Sequence, residues 1–549
     1  MEFENKLKKV LNSKIVNDLK NDVVIKYPYG TAGFRYNHKI ILNDLALPIG
    51  EFLGYLNFYF GKTLGIMITA SHNPIDDNGV KIVNDDGEMV GNTFEELITL
   101  YCNGKKNIKK AIIQELEYNF VKEKVKRPKI VIGMDTRPSS VEIFEMIDEG
   151  LLSANPIIEI DVIGTVSTPI VHYHMVFPNQ YLSNIPINFR KWMNDDECKD
   201  TILVDCANGV GGPVFSSLYS YLKHNMHCNL RNTGETPLEI QYLNHECGSE
   251  FVQKERKIPM NFNIEYDYSH RIAHFDGDAD RLVYTYMDKI TGTTFLLDGD
   301  KIGALMTFFI QKELEILDDF DKTNIGFIQT AYANGASTQF VKDKLKVETK
   351  YAATGVKNLH HLAKEYDIGV YFEANGHGTV LFSADWLSRL DRYYHNLCVK
   401  RKEMDEDEFY NKVYSVNNLY YMSKIINQYT GDAITNLLVI EGIIHKLGLT
   451  TDDWIQMYGE KPNILWKLEV EDKSIFKTNE DETELIEPSS FQNEINNILE
   501  YYSRVNARCF VRPSGTENCV RVYCEADNME AVKDIQVKMN RLFKELNRE

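Results

Sequence analysis

The sequence predicts an α/β protein made of several domains in series, and three observations carry that reading. Its 549 residues exceed one ordinary domain and, at roughly 100–200 residues each, imply about three to five. Short apolar runs alternate with segments of helical period. Small, polar and charged residues pile up immediately after several of those runs, where open α/β sheets bind ligands.

Taken in order, GIMITA (65–70), KIVIGMD (129–135), IIEIDVIG (157–164) and TILVDCA (201–207) read as apolar strands. Segments 92–103 and 140–153 carry helical periodicity between them. The alternation predicts βαβ units and parallel sheets covered on both faces. It resumes with strands NIGFIQTAY (324–332) and GVYFEANG (369–376) and helices near 300–317, 356–366 and 385–402. Two acidic stretches, 403–408 and 471–487, interrupt the pattern, and the second reads as a linker or a loop-rich domain entrance. The tail has ARCFV, a polar loop, CVRVYCEA and a helix from about 529. That helix puts Val532, Ile535, Met539, Leu542 and Leu546 on one stripe. Boundaries near 190, 296 and 460 give four domains: 1–190, 191–296, 297–460 and a C-terminal α+β domain over 461–549.

Hydrophobic residues make up 43% and charged residues 26%, enough for large cores and against general disorder. Lys and Arg number 61 against 80 Asp and Glu, a net charge of −19. That balance argues against a nucleic-acid partner bound by counterion release and against an anionic lipid surface. No stretch approaches the roughly 18 apolar residues of a spanning helix, and the charged start lacks a secretory core. Nine scattered cysteines without a CxxC pair suit reduced thiols in the cytoplasm.

Four segments carry the chemistry. TASHNPIDDNGVK (69–81) sets Ser71 after a strand, with His72 and Asn73 beside it and Lys81 ten residues on. The serine could be a nucleophile or a phosphoryl carrier; alone, an ST-turn at a strand end explains it better. HFDGDADR (274–281) holds Asp276, Asp278 and Asp280 inside an apolar flank. Alternate residues share a side, so the three carboxylates can converge on one hard divalent cation. An EF-hand fails, because its sixth position is Arg281 and its twelfth Met287. Arg281 suits a phosphate bridging metal and guanidinium.

FEANGHGTV (372–380) offers Glu373, Asn375 and His377, suitable partners for sugar hydroxyls and N-acyl groups, or simply a tight polar hairpin. VRPSGTENCVR (511–521) brings Arg512, Ser514, Gly515, Thr516 and Arg521, a phosphate cradle in composition. Other matches carry less. GKT at 61–63 lacks the earlier P-loop glycine, and NGVGG (208–212) lacks the third fingerprint glycine. His172 with His174, and His270 with His274, lack a third zinc ligand. Asp298 and Asp300 read as helix caps.

Together these segments resemble the α-D-phosphohexomutase superfamily. YGTAGFR (29–35), GMDTRPS (133–139), VDCANGVGG (204–212) and TGVKNLHH (354–361) extend the likeness over about 29–526. Within it, EANGHGT, TGVK and RCFVRPSGTE resemble the eukaryotic phosphoacetylglucosamine mutases. The resemblance implies four domains in a heart shape, three related α/β domains and a C-terminal one. It makes Ser71 a phosphoserine and gives Mg²⁺, one per chain, to Ser71, Asp276, Asp278 and Asp280. It assigns Glu373 and Asn375 to sugar hydroxyls, the 512–521 loop to the non-reacting phosphate, and further substrate contacts to Arg281, Lys357 and His377. Arg35 would aid transfer, with Lys81 or His72 as general acid–base.

The reaction it implies is isomerisation of N-acetylglucosamine 6-phosphate and 1-phosphate, an intramolecular phosphotransfer of UDP-N-acetylglucosamine biosynthesis. The implied protein is a monomer with a sugar 1,6-bisphosphate as intermediate and activator. Asn358 and Asn518 depart from the family pattern. The alternatives are a mutase of glucose or mannose phosphates, a catalytically silent phosphosugar-binding regulator and a phosphoserine-type phosphatase.

Overall fold

The computed structural model describes residues 2–30, 32–119, 128–194, 196–288, 290–514 and 518–546. They form two compact units, one of 1–296 with 424–442 and one of 297–423 with 443–549.

The first unit holds two five-stranded sheets. In the first, the order is β1 (Phe34–Asn37), β3 (Asp77–Val83), β2 (Leu64–Ile68), β4 (Lys129–Met134) and β5 (Glu159–Thr165). Strands β2, β4 and β5 run parallel, while β3 returns antiparallel to β2 and pairs with β1. All five residues of β2 are buried, as expected of a run with apolar side chains on both faces. In the second sheet, β6 (Thr201–Asp205), β7 (His227–Arg231) and β8 (Arg271–Phe275) are parallel, and β9 (Leu282–Met287) returns antiparallel to β8. β10 (Thr294–Leu297) lies beyond β9.

In the second unit, β11 (Ile325–Thr330), β12 (Glu348–Ala352) and β13 (Ile368–Phe372) are parallel, with β14 (Gly378–Phe382) antiparallel to β13. β15 (Asn463–Glu469), β18 (Arg508–Pro513) and β19 (Cys519–Glu525) make an antiparallel sheet. β16 (Lys477–Thr478) and β17 (Leu485–Glu487) form a short ribbon. On the last helix, Met529–Leu546, Val532, Ile535 and Met539 are fully buried and Leu542 packs beside them. The Leu546 side chain lies outside the described residues.

Two expectations need correction. The sheets are mixed rather than parallel, because each of the first three ends its parallel core in an antiparallel hairpin. That hairpin matters: the β2–β3, β8–β9 and β13–β14 connections carry the serine, acidic and sugar segments, and β18–β19 carries the phosphate segment. Nor do the acidic stretches break the fold. Residues 403–408 lead into the helix Glu406–Ile425, whose first turn holds Glu406, Asp407 and Glu408. There they face the positive end of the helix dipole. Residues 471–487 supply the β16–β17 ribbon and its turn.

Candidate functional site: a serine on an acidic triad

Ser71 sits in the left-handed region, at φ +52°. A β-carbon is strained there, and the surroundings hold it. Its N–H donates to Thr69 Oγ1 at 2.9 Å, and the Thr69 hydroxyl donates to Asp135 Oδ2 at 2.6 Å. Arg137 Nη2 donates to the Ser71 and Asn73 carbonyls at 3.1 and 2.7 Å, and Arg137 Nη1 pairs with Asp135. Asn244 Nδ2 donates to the same two carbonyls at 2.9 and 3.1 Å. The Ser71 hydroxyl, so aimed, donates to Asp276 Oδ2 at 2.7 Å.

Asp276, Asp278 and Asp280 are buried, each offering a carboxylate oxygen within 4.8 Å of the others. Asp276 Oδ1 accepts the backbone N–H groups of Asp280 and Arg281 at 3.0 and 3.1 Å, which closes the loop. Lys81 Nζ donates to Asp278 Oδ2 at 2.7 Å and to Asp280 Oδ2 at 2.8 Å, and the Thr168 hydroxyl donates to Asp278 Oδ2 at 2.5 Å. Arg281 Nε lies 3.8 Å from both Asp276 and Asp280. Gly209 permits the loop's close approach, since a β-carbon there would lie 2.3 Å from the Gly277 carbonyl oxygen.

Three buried carboxylates thus face two cationic side chains. Burial, with Asp280 and Asp278 adding to it, pushes the Asp276 carboxyl well above its usual range. Asp278 Oδ1 is buried and has no hydrogen-bond partner among the described residues. Residual negative charge, oxygen-only donors and an unmatched carboxylate oxygen fit a hard divalent cation.

Charged groups border this triad within the first unit. Arg35 Nη1 lies 3.4 Å from His72 Nδ1, and Glu250 joins His72 (4.0 Å) to Arg281 (3.2 Å). Burial, then Arg281 and Arg35, drive the His72 pKa well below its usual value, so the ring is neutral near pH 7. Burial opposes the charge of Lys81, but Asp278 and Asp280 outweigh it and raise its pKa.

In the second unit, Glu373 Oε1 accepts the Gly355 N–H at 3.1 Å, and Glu373 Oε2 accepts from Asn375 Nδ2 at 3.1 Å. Asn375 Oδ1 accepts the His377 N–H at 2.9 Å, and His377 and Lys357 are buried. Asn358, where a departure was noted, donates to the Ala353 and Thr354 carbonyls at 3.3 Å each, steadying the same turn. Arg512 and Arg521 stand directly opposite each other on β18 and β19. Facing like charges are unfavourable unless an anion is shared. Ser514 is buried, with its N–H on the Cys519 carbonyl at 2.9 Å; Gly515 and Thr516 lie outside the described residues.

Family models described as phosphoglucomutase/phosphomannomutase α/β/α domain I match residues 40–109 and 104–179. The C-terminal domain of that family matches 465–542, and phosphoacetylglucosamine mutase AMG1 domain III matches 298–449. A phosphoacetylglucosamine mutase from Arabidopsis thaliana is 37% identical, covering 95% of each chain. The Homo sapiens protein of that name is 36% identical, over 92% of this chain and 91% of its own. The chain belongs to the phosphoacetylglucosamine mutase family. Its fold is that of the α-D-phosphohexomutase superfamily: an N-acetylglucosamine-phosphate mutase solved in its substrate complex superposes with a TM-score of 0.85 at 34% identity, covering 96% and 99% of the two chains. The Aspergillus fumigatus enzyme, solved with GlcNAc-6P and magnesium, gives 0.85 at 31% identity, covering 97% and 100%.

Within this mutase family frame, the structure gathers Ser71, His72, Lys81, Arg35, Arg281 and the three aspartates into one constellation. Thr168, Glu250, Arg137, Asn244 and Glu482 escaped the sequence reading. Arg137 lay in view, in the GMDTRPS segment, but nothing in its spacing says that its side chain reaches back 66 residues. Some readings change. Asp298 caps its helix, accepting from the Asp300 and Lys301 N–H groups, but Asp300 does not. Asp300 is buried, accepting from Gln329 Nε2 at 3.2 Å and the Asn334 N–H at 2.8 Å. His274 is fully buried between Asp205 (3.0 Å) and Thr285 (2.8 Å). His172 meets the Gly87 carbonyl at 2.6 Å, His174 lies 3.5 Å from Asp161, and His270 lies 3.2 Å from the Tyr268 carbonyl.

Proposed function

We propose that this chain interconverts N-acetylglucosamine 6-phosphate and N-acetylglucosamine 1-phosphate through a phosphoserine at Ser71. The observation that carries the reading is the 2.7 Å hydrogen bond from Ser71 Oγ to Asp276, inside a triad suited to a hard cation. In the first half-reaction the sugar hydroxyl attacks the phosphoserine phosphorus. A P–O bond to the sugar forms, the bond to Ser71 Oγ breaks, the hydroxyl proton passes to a base, and Ser71 regains a proton. The resulting 1,6-bisphosphate turns over and returns its other phosphoryl group to Ser71. Small amounts of that bisphosphate activate the enzyme by phosphorylating free Ser71.

Phosphoryl transfer needs positioning and charge neutralisation more than covalent help. Mg²⁺ held by Asp276, Asp278, Asp280 and a Ser71-side oxygen would supply Lewis-acid neutralisation of the transferring group. Arg35 and Arg281 add fixed positive charge for the phosphoryl oxygens. Lys81, kept protonated by Asp278 and Asp280, acts as a cation, which leaves neutral His72 as the better proton acceptor. In the second unit, Glu373 and Asn375 take sugar hydroxyls, with Lys357 and His377 beside them. Arg512, Ser514, Gly515, Thr516 and Arg521 take the non-reacting phosphate. The four-domain division at 190, 296 and 460, a monomeric state and a cytoplasmic location belong to the same proposal.

One observation favours a looser substrate range. Both polar atoms of the Asn375 amide are engaged within the protein, by Glu373 and by the His377 N–H. Part of the amide's hydrogen-bonding capacity is thus spent on orienting Glu373 and on the His377 N–H, which weakens its hold on an N-acetyl group and would let plain hexose phosphates compete. Phosphorus NMR of N-acetylglucosamine 6-phosphate with Mg²⁺ and a trace of bisphosphate, beside glucose 6-phosphate, separates the two. A new anomeric phosphate signal strongest with the N-acetyl sugar supports the first reading, and equal rates support the second. Inorganic phosphate without isomerisation would defeat both.

A further inference from the structure

We infer that Glu482 is a positioning residue that ties the phosphate-binding arginine to the sugar loop. Two hydrogen bonds and an ion pair converge on one of its oxygens. The Thr354 N–H and hydroxyl reach Glu482 Oε2 at 2.9 and 2.6 Å, and Arg512 Nε lies 2.7 Å from the same atom. The side chains of Glu482 and Arg512 are each only 16% exposed, so the pair is shielded from competing water.

The backbone shows that this placement is enforced. Glu482 has φ +59°, a conformation that costs a non-glycine residue energy. The turn is fixed around it: Asn479 Oδ1 accepts the N–H groups of Thr483 and Glu484 at 2.9 and 3.1 Å, and the Thr483 hydroxyl donates to Asp481 Oδ1 at 2.7 Å. A strained residue locked by its neighbours, with its carboxylate holding two hydrogen bonds and a cation, is arranged for a purpose beyond ending a turn.

What the carboxylate joins defines that purpose. Thr354 is followed by Gly355, whose N–H holds Glu373, and Glu373 accepts from Asn375. A continuous polar line therefore runs from Arg512 through Glu482 and the 354–355 turn to the sugar-binding pair. The ion pair holds the Arg512 guanidinium beside the 354–355 turn, where it can meet a phosphate monoester. The carboxylate also offsets one of the two facing arginines. Glu482 thereby sets the spacing between phosphate end and sugar end.

The inference rests on the phosphate-loop reading above, so its test uses two readouts on the full-length chain. Calorimetric titration with inorganic phosphate, and KM and kcat for N-acetylglucosamine 6-phosphate, are compared for wild type, Glu482→Gln, Arg512→Ala and the double variant. Gln keeps the shape and removes the charge. Glu482→Asn, a residue that tolerates positive φ, guards against a folding artefact. The expected result is phosphate affinity weakened and KM raised about tenfold in both Glu482 variants. kcat should hold within about threefold, as for lost uniform binding. The double variant should be no weaker than Arg512→Ala alone. Unchanged or tighter phosphate binding in the Glu482 variants overturns the inference, as does additivity with Arg512→Ala. Absence of sugar isomerisation by wild type would instead count against the proposed function.

Discussion

Replacing Arg137 with Met would separate what holds the serine loop from what carries its charge. Arg137 is buried, pairs with buried Asp135, and donates to the Ser71 and Asn73 carbonyls at 3.1 and 2.7 Å. Removing it leaves Asp135 as a buried charge whose cation is gone, a change that typically costs about 3–5 kcal/mol. The loss of two hydrogen bonds adds about 1 kcal/mol each. For a unit of this size that lowers the first melting transition by roughly 10 °C. The double variant Asp135→Asn/Arg137→Met removes the stranded charge and should recover part of that loss. Activity should not recover, because Asn244 alone then holds the Ser71 carbonyl, and an ångström of misplacement costs on the order of 100-fold in rate. Scanning calorimetry and the phosphorus NMR assay read the two effects. A single variant that melts within about 2 °C of wild type would refute the argument, as would a double variant that regains activity along with stability.

Four further outcomes follow from the same geometry. Asp278→Asn should lose at least about 1000-fold in turnover, and chelation should abolish wild-type activity until Mg²⁺ is restored; full activity in excess chelator would exclude a metal. Gly209→Ala places a β-carbon 2.3 Å from the Gly277 carbonyl oxygen. It should cut kcat at least about tenfold by displacing the acidic loop, with circular dichroism unchanged. Lys81→Met should slow transfer severely at every pH, because the group lost is a fixed cation; loss of only one limb of the pH–rate profile would make Lys81 the proton carrier. Finally, burial pushes the Asp432 carboxyl up to about 6. The neutral acid is therefore favoured in the folded state, and its contribution is complete below about pH 4 and lost as pH rises through 6. In melting scans from pH 4 to 7, Asp432→Asn should remove that part of the slope.

The four chemistry-bearing loops were legible because each juxtaposes residue types that few purely structural turns need. The DGDADR run is the clearest case, since three acids in an apolar flank demand compensation. Strand and helix positions followed from period: 92–103 and 140–153 match the helices Asn92–Asn103 and Ser140–Ala154 closely. Strand direction did not follow. An apolar run such as GVKIV reads the same whether its neighbour runs parallel or antiparallel, so the β2–β3 and β8–β9 hairpins stayed hidden, while the hairpin offered for 372–380 is the one that β13 and β14 form. Supporting residues were illegible for a related reason. Thr168, Asn244 and Glu482 act through partners 110, 173 and 128 residues away, and local spacing holds no trace of such contacts. Low hydrophobicity made 471–487 read as a linker or a loop-rich domain entrance; the segment is indeed mostly turns, but nothing local shows that one of them sets a carboxylate beside Arg512.

The central claim is that Ser71 carries the phosphoryl group. Incubating the protein with Mg²⁺ and glucose 1,6-bisphosphate, then mapping its peptides by mass spectrometry, tests this directly. The account predicts phosphate on Ser71 alone, passing to N-acetylglucosamine 6-phosphate when that sugar is added and regenerated from the transient 1,6-bisphosphate, with N-acetylglucosamine 1-phosphate formed and no inorganic phosphate released. Phosphate on another residue, or discharge to inorganic phosphate, would contradict it.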